Sequence, residues 1–181
     1  MHDRPDIVAG QGTLGLELAR QAEEKGAHLD VLLCPCGGGG LIAGVSLAFS
    51  ALSPETRIYS VEPEAFDDTR RSLESRVAQR NTPGARSICD ALLAEEPGKL
   101  TFPINRRLLA GGLAVSDDEA CAGVAYAART LKLVVEPGGA VGLAALLTSK
   151  IDVRGKSVGV VLTGGNIDPP LLADILCRYP G

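Results

Sequence analysis

Three glycine clusters occupy one repeated setting along this chain. LLCPCGGGG at 32–40, VVEPGG at 134–139 and VVLTGGN at 160–166 each follow a short apolar run and precede a helix-like segment or a turn. Runs apolar at every position, rather than at alternate ones, suit strands buried on both faces, as in a parallel sheet covered by helices. In an open sheet of that kind the loops leaving the strands' carboxyl ends lie along one edge, where ligands bind. Three separate segments are thus expected to converge on one crevice.

The rest of the pattern agrees with an α/β architecture, an open, mostly parallel twisted sheet with helices on both faces. DIVAG at 6–10 reads as a short strand, followed by the helix TLGLELARQAEEKG, which Gly26 stops. LDVLLCP at 29–35 and RIYSVEP at 57–63 read as strands flanking the helix LIAGVSLAFSAL. Between 64 and 105 the pattern blurs. Ser116 with Glu119 forms a capping box ahead of a helix. VVEPGGAVGLAALLTSK then reads as strand, glycine turn and helix, KSVGVVLTGGN at 156–166 as the last buried strand, and PPLLADILCR as a helix opened by proline.

Composition narrows the function classes. The chain has 181 residues, 45% of them apolar and 22% charged, with a net charge of −4 and no basic cluster. That is a globular balance, which speaks against nucleic acid or an anionic membrane as principal partner. The longest apolar stretch, 41–52, is short of the roughly 20 residues a membrane span needs, and no signal peptide pattern opens the sequence. Five scattered cysteines fit a reducing, cytoplasmic setting. The pair Cys34 and Cys36 lacks further ligands for zinc and reads as buried thiols.

Gly37, Gly38, Gly39 and Gly40 are too many for a turn alone. A side-chain-free loop at a helix start offers successive amides and the positive end of the helix dipole, a phosphate cradle. No lysine completes a nucleotide-triphosphate loop, and the spacing from Gly40 to Gly44 misses the dinucleotide fingerprint.

AGQGTLGLE, PCGGGGLIAG, VEPEAFDD, EPGGAVGLAAL and VLTGGNID stand in the order and spacing of the pyridoxal-phosphate-dependent serine/threonine dehydratases, a group that includes serine racemase. The chain resembles this group over nearly its whole length. The resemblance implies a fold-type-II enzyme in which Gly37, Gly38, Gly39, Gly40 and the amide of Leu41 hold the cofactor phosphate. It implies that Thr163 hydrogen-bonds the pyridine nitrogen. A hydroxyl partner leaves that nitrogen neutral and the ring a weaker electron sink, which favours β-elimination from a hydroxy amino acid. Glu136 maps close to the ring, and Ala91 stands where relatives usually carry glycine facing it, so its methyl crowds that edge. Glu62 and Asp68, with the carbonyl of Phe66, match a loop for Mg²⁺ or Ca²⁺; the competing reading is acids favouring a helix N-terminus. GQGT at 10–13 is read as structural, with Glu17 packing behind it.

The family lysine that anchors the cofactor covalently lies in a Ser-x-Lys-x-Arg-Gly type motif upstream of the tetraglycine. Lys25, Lys99, Lys132, Lys150 and Lys156 have no such setting. Residues 1–181 therefore read as part of a pyridoxal-phosphate-binding large domain, without the lysine segment and the small domain. Such a piece is expected to be inactive alone, and to form a homo-oligomer or join a missing N-terminal piece, because a sheet edge stays uncovered. Alternatives are a catalytically dead phosphate-binding remnant or subunit, a racemase, and another fold-type-II enzyme such as a β-replacing synthase. Serine, threonine and hydroxyaspartate all remain open as the small amino-acid substrate.

Overall fold

The computed structural model describes residues 3–180. Four strands form one parallel sheet in the order β3-β2-β1-β4: β1 (Val31–Pro35), β2 (Arg57–Pro63), β3 (Gly111–Val115) and β4 (Val158–Val160). β1 is central, and every one of its residues is buried. Its side chains alternate between two cores. Val31 and Leu33 pack with Val141, Ala144 and Ala145, whereas Leu32 and Cys34 pack with Ile42, Val45 and Phe49. The first group belongs to α6 (Pro137–Leu147), flanked by α5 (Asp117–Tyr126) and α7 (Pro169–Arg178). The second belongs to α2 (Gly40–Leu52), against which α1 (Pro5–Glu24) is laid. Helices thus cover both faces, as the apolar strands require.

DIVAG is not a strand. It forms the first turns of α1, opened by Pro5 at the first helical position and by Asp6 in the first turn. A run of so few apolar residues fits either period, and tertiary packing decides here. Val8, Gly15 and Ala19 share one buried face, and a Cβ on Gly15 would come within 2.8 Å of the Ala48 methyl. The helix ends as expected: Gly26 takes φ +63°, and the amides of Gly26 and Ala27 return to the carbonyls of Glu23 and Ala22.

Two further expectations change. Residues 133–136 join no strand; Lys132 ends a π-helical turn (Ala127–Leu131) in the left-handed region, and the chain then runs as a connector into α6. The last strand is short, half-buried and at the sheet edge, because beyond Val161 the backbone turns away toward Glu136. In the blurred region lie α3 (Asp68–Ser75), α4 (Thr101–Leu108) and β3. β3 begins with two glycines. At Gly112 a Cβ would meet the Arg70 backbone of α3 at 2.7 Å, so the strand's weak propensity is set by this close approach.

Candidate active site

At the carboxyl end of β1 the Cys36 amide donates to the Val61 carbonyl, 3.0 Å, and the chain then leaves the sheet as glycine. Gly39 precedes α2 with φ +84°, a left-handed conformation that glycine adopts without penalty. The carbonyl of Gly38 accepts from Thr101 Oγ1 at 2.7 Å, and that of Gly39 accepts from the Ala43 amide at 3.0 Å and Asn105 Nδ2 at 3.4 Å. Among the described residues, the amides of Gly37, Gly38 and Gly39 find no protein acceptor. Pro35, Cys36, the four glycines, Leu41 and Ala91 line a concavity of about 70 Å³. α2 carries no acid in its first turn, so its positive end is left uncompensated. Unpaired amides at a helix start suit an anion.

Ala91 lies in a 3₁₀ turn (Asp90–Leu92) wedged between two glycine segments. A Cβ on Gly37 would meet Leu92 Cα at 3.3 Å and the Ala91 carbonyl at 3.4 Å. One on Gly138 would meet Leu92 Cγ at 3.3 Å and the Ala91 methyl at 3.5 Å. The tetraglycine loop and the start of α6 therefore meet across this turn, with Ala91 exposed on the rim.

The other two clusters interlock. Glu136 donates its amide to the Gly164 carbonyl, 3.1 Å, while its carboxylate accepts from the Asn166 amide at 3.0 Å. The Thr163 amide donates to the Gly139 carbonyl at 3.4 Å. Any Cβ at Gly139 would overlap the Thr163 carbonyl, and one at Gly164, where φ is +60°, would overlap the Glu136 carboxylate. Thr163 is half-buried and its hydroxyl has no partner among the described residues. Because β4 pairs with β1, this loop and the tetraglycine leave the same edge of the sheet side by side.

Glu62, Phe66 and Asp68 gather at the end of β2. Glu62 is fully buried, and its carboxylate accepts the amides of Thr69 and Arg70 at 2.9 and 2.7 Å, capping α3. Burial, then the nearby Asp68 carboxylate, pushes the Glu62 carboxyl well above its ordinary range, against the pull of those amides. Burial likewise raises Asp68, to about 6, although Asn81 Nδ2 donates to its Oδ1 at 2.5 Å. Asp68 Oδ2 is buried without a partner. Among the described residues no group of three or more His, Cys, Asp or Glu is arranged to hold a metal ion.

Some residues proved to have other roles. Glu17 is exposed and bonded to Gln21, so it does not pack behind GQGT; Gly12 does the packing, within 3.2 Å of the Gly44 carbonyl for a hypothetical Cβ. Cys34 and Cys36 are buried and their thiols are raised by that burial, as inert core thiols are. None of the five lysines lines the glycine concavity. Thr101 and Asn105, which hold the glycine carbonyls, escaped sequence reasoning; a polar pair four apart on a short helix has no distinguishing local mark.

Known proteins share this chain's sequence pattern and fold. Residues 1–164 match the family model described as pyridoxal-phosphate dependent enzyme. An L-threo-3-hydroxyaspartate ammonia-lyase from Pseudomonas sp is 41% identical over 176 residues, 97% of this chain and 53% of that protein. An L-threonine ammonia-lyase from Thermotoga maritima is 36% identical over 172 residues, 95% of this chain and 41% of that protein. The crystal structure of serine racemase from Dictyostelium discoideum superposes with a TM-score of 0.81 at 37% identity, covering 92% of this chain and 52% of that one. The chain spans about half the length of the curated relatives it matches. On sequence and fold together, the chain belongs to the pyridoxal-phosphate dependent enzymes, of fold type II.

Proposed function

We propose that this chain forms the phosphate- and ring-holding part of a pyridoxal-phosphate site that eliminates the hydroxyl of a small hydroxy amino acid, yielding a 2-oxo acid and ammonia. The observation that carries the reading is the concavity lined by Gly37, Gly38, Gly39, Gly40 and Leu41, three of whose glycine amides lack a protein acceptor. The dipole of α2 adds positive potential there. When bound, pyridoxal phosphate supplies an electron-withdrawing ring for chemistry at the amino acid's α-carbon.

The chain's own groups bind and orient. The glycine amides and that of Leu41 hold the phosphate. Thr163 offers its free hydroxyl to the ring nitrogen, and Glu136 fixes the loop that carries Thr163 through its bonds to Gly164 and Asn166. Ala91 narrows the rim beside the ring. The relatives named above act on hydroxyaspartate, threonine or serine by their names, which supports a small hydroxy amino acid as substrate.

Covalent anchorage and proton movement at the α-carbon fall to a lysine outside this concavity, on polypeptide beyond these 181 residues. Loss of a general acid–base group alone lowers rates by about 10² to 10⁴. The half-buried edge strand β4 and the exposed Leu131, Leu133 and Val134 support association with that polypeptide or with a second copy. A divalent cation is a further part of the proposal: the partnerless Asp68 Oδ2 beside buried Glu62 is the observation in its favour.

The test is the purified chain with pyridoxal phosphate and serine or threonine, followed for pyruvate or 2-oxobutanoate with light scattering alongside. Expected are phosphate-dependent cofactor binding, no oxo acid and an associated state. Oxo acid formed by the chain alone would overturn the assignment of lysine chemistry elsewhere; absence of phosphate-dependent binding would overturn the site itself.

A further inference from the structure

Carbonyls, not amides, are what the protein grips in the tetraglycine loop. Among the described residues no peptide bond is cis, and in a planar trans peptide the carbonyl of one residue and the amide of the next point in opposite directions. Holding the Gly38 carbonyl against α4 therefore turns the Gly39 amide away from α4, and holding the Gly39 carbonyl does the same for the Gly40 amide. The grip is specific. Thr101 Oγ1 donates to the Gly38 carbonyl at 2.7 Å, and Asn105 Nδ2 reaches the Gly39 carbonyl at 3.4 Å one helical turn on. Asn105 also occupies the space a Gly39 side chain would need, at 2.6 Å from a hypothetical Cβ.

α4 is itself fixed from the far end of the sequence. The Asp3 carboxylate accepts the amides of Lys99, Leu100 and Thr101 at 2.8, 2.7 and 3.1 Å, consuming the donors of that helix start. Asn105 is buried with its Oδ1 unpartnered. An unsatisfied acceptor costs about 1–3 kcal/mol, so packing alone would favour leucine there.

We propose that Asp3, Thr101 and Asn105 form a positioning relay that aims the loop's amides at the cofactor phosphate. Asp3 seats α4, α4 presents Thr101 and Asn105, and these set the two peptide planes. The proposal rests on the reading of the concavity as the phosphate site.

The experiment uses the whole chain and titration calorimetry with pyridoxine 5′-phosphate and with inorganic phosphate, neither of which carries an aldehyde for the five lysines to trap. Thr101→Val should weaken pyridoxine 5′-phosphate about tenfold, the equivalent of one lost hydrogen bond, and Thr101→Ser should restore it. Asn105→Leu removes the orphaned oxygen together with the donor. It should melt no lower than wild type while binding the phosphate ester several-fold more weakly, a split that a purely structural role does not produce. If Thr101→Val fails to fold, Asn105→Leu decides. Folded variants with wild-type affinity, or no rescue by serine, overturn the relay and leave the phosphate site standing. Wild-type chain that binds neither probe overturns the site, and the relay with it.

Discussion

Replacing glycine by alanine inside a helix ordinarily stabilises it by up to about 1 kcal/mol, because alanine loses less freedom on folding. Gly139, in the first turn of α6, should do the opposite. Its Cβ would overlap the Thr163 carbonyl and lie 3.0 Å from Val135 Cγ1. The first obstacle is backbone, tied to this very residue through the bond from the Thr163 amide to the Gly139 carbonyl. No rotamer change relieves it, so the TGGN loop must move off α6. Overpacking of a tight site costs typically 1–3 kcal/mol. Because backbone must move, the top of that range applies, and less the helix gain Gly139→Ala should lose about 2 kcal/mol, or about 4–8 °C in melting temperature for a chain of this size. Gly10 provides the internal standard: it too is helical, in α1, and nothing lies within 4 Å of its would-be Cβ. Gly10→Ala should hold or raise stability. Urea midpoints for wild type and the two variants decide the matter. A Gly139→Ala chain as stable as Gly10→Ala would refute the contact between the two glycine loops.

Two more outcomes follow from the carboxylates. Burial pushes the Glu119 carboxyl up, but the Lys150 ammonium at 2.9 Å and the bond from the Ser116 amide outweigh it and hold the group below its ordinary value near 4.5. A folded value below the unfolded one means the contribution is complete above pH 4.5 and vanishes as pH falls through the folded value. Glu119→Gln should thus be less stable than wild type by up to about 1 kcal/mol at neutral pH and converge with it as pH falls below 4.5; parallel curves across that range would exclude the ion pair as the cause. For the cation, Mg²⁺ or Ca²⁺ at about ten times its dissociation constant should stabilise the chain by about 1.4 kcal/mol, and Asp68→Asn should abolish the shift. A melting temperature indifferent to millimolar ion removes the cation from the proposal.

How far the sequence reached follows from where the physics is local. β1, β2, α2 and α7 were legible because an apolar run, a proline or a glycine marks each within a few residues. The capping box of Ser116 and Glu119 formed as written. α1 was misjudged at its start, since only packing against α2 tells that Val8 belongs to a helical face. β3 was missed because Gly111 and Gly112 answer to neighbours from other segments, Tyr59 and Arg70, rather than to strand propensity. The same limit hid Thr101 and Asn105, which act on a loop more than sixty positions away.

Glycine itself turns out to signal two physical demands rather than one. The three clusters look alike in the sequence, although the one at 134–139 follows a connector rather than a strand. Yet only the cluster at 37–40 combines unpaired amides with a concavity. At Gly139 and Gly164 the missing side chain makes room for another part of the protein, the Thr163 carbonyl and the Glu136 carboxylate. At 37–40 two of the absent side chains likewise make room for protein, Leu92 at Gly37 and Asn105 at Gly39, while the loop's amides stay unpaired. The bond from the Thr163 amide to the Gly139 carbonyl pins to α6 the backbone that carries the Thr163 hydroxyl. Neither a glycine count nor the partners a Cβ would strike separate these uses; unpaired amides beside a concavity do.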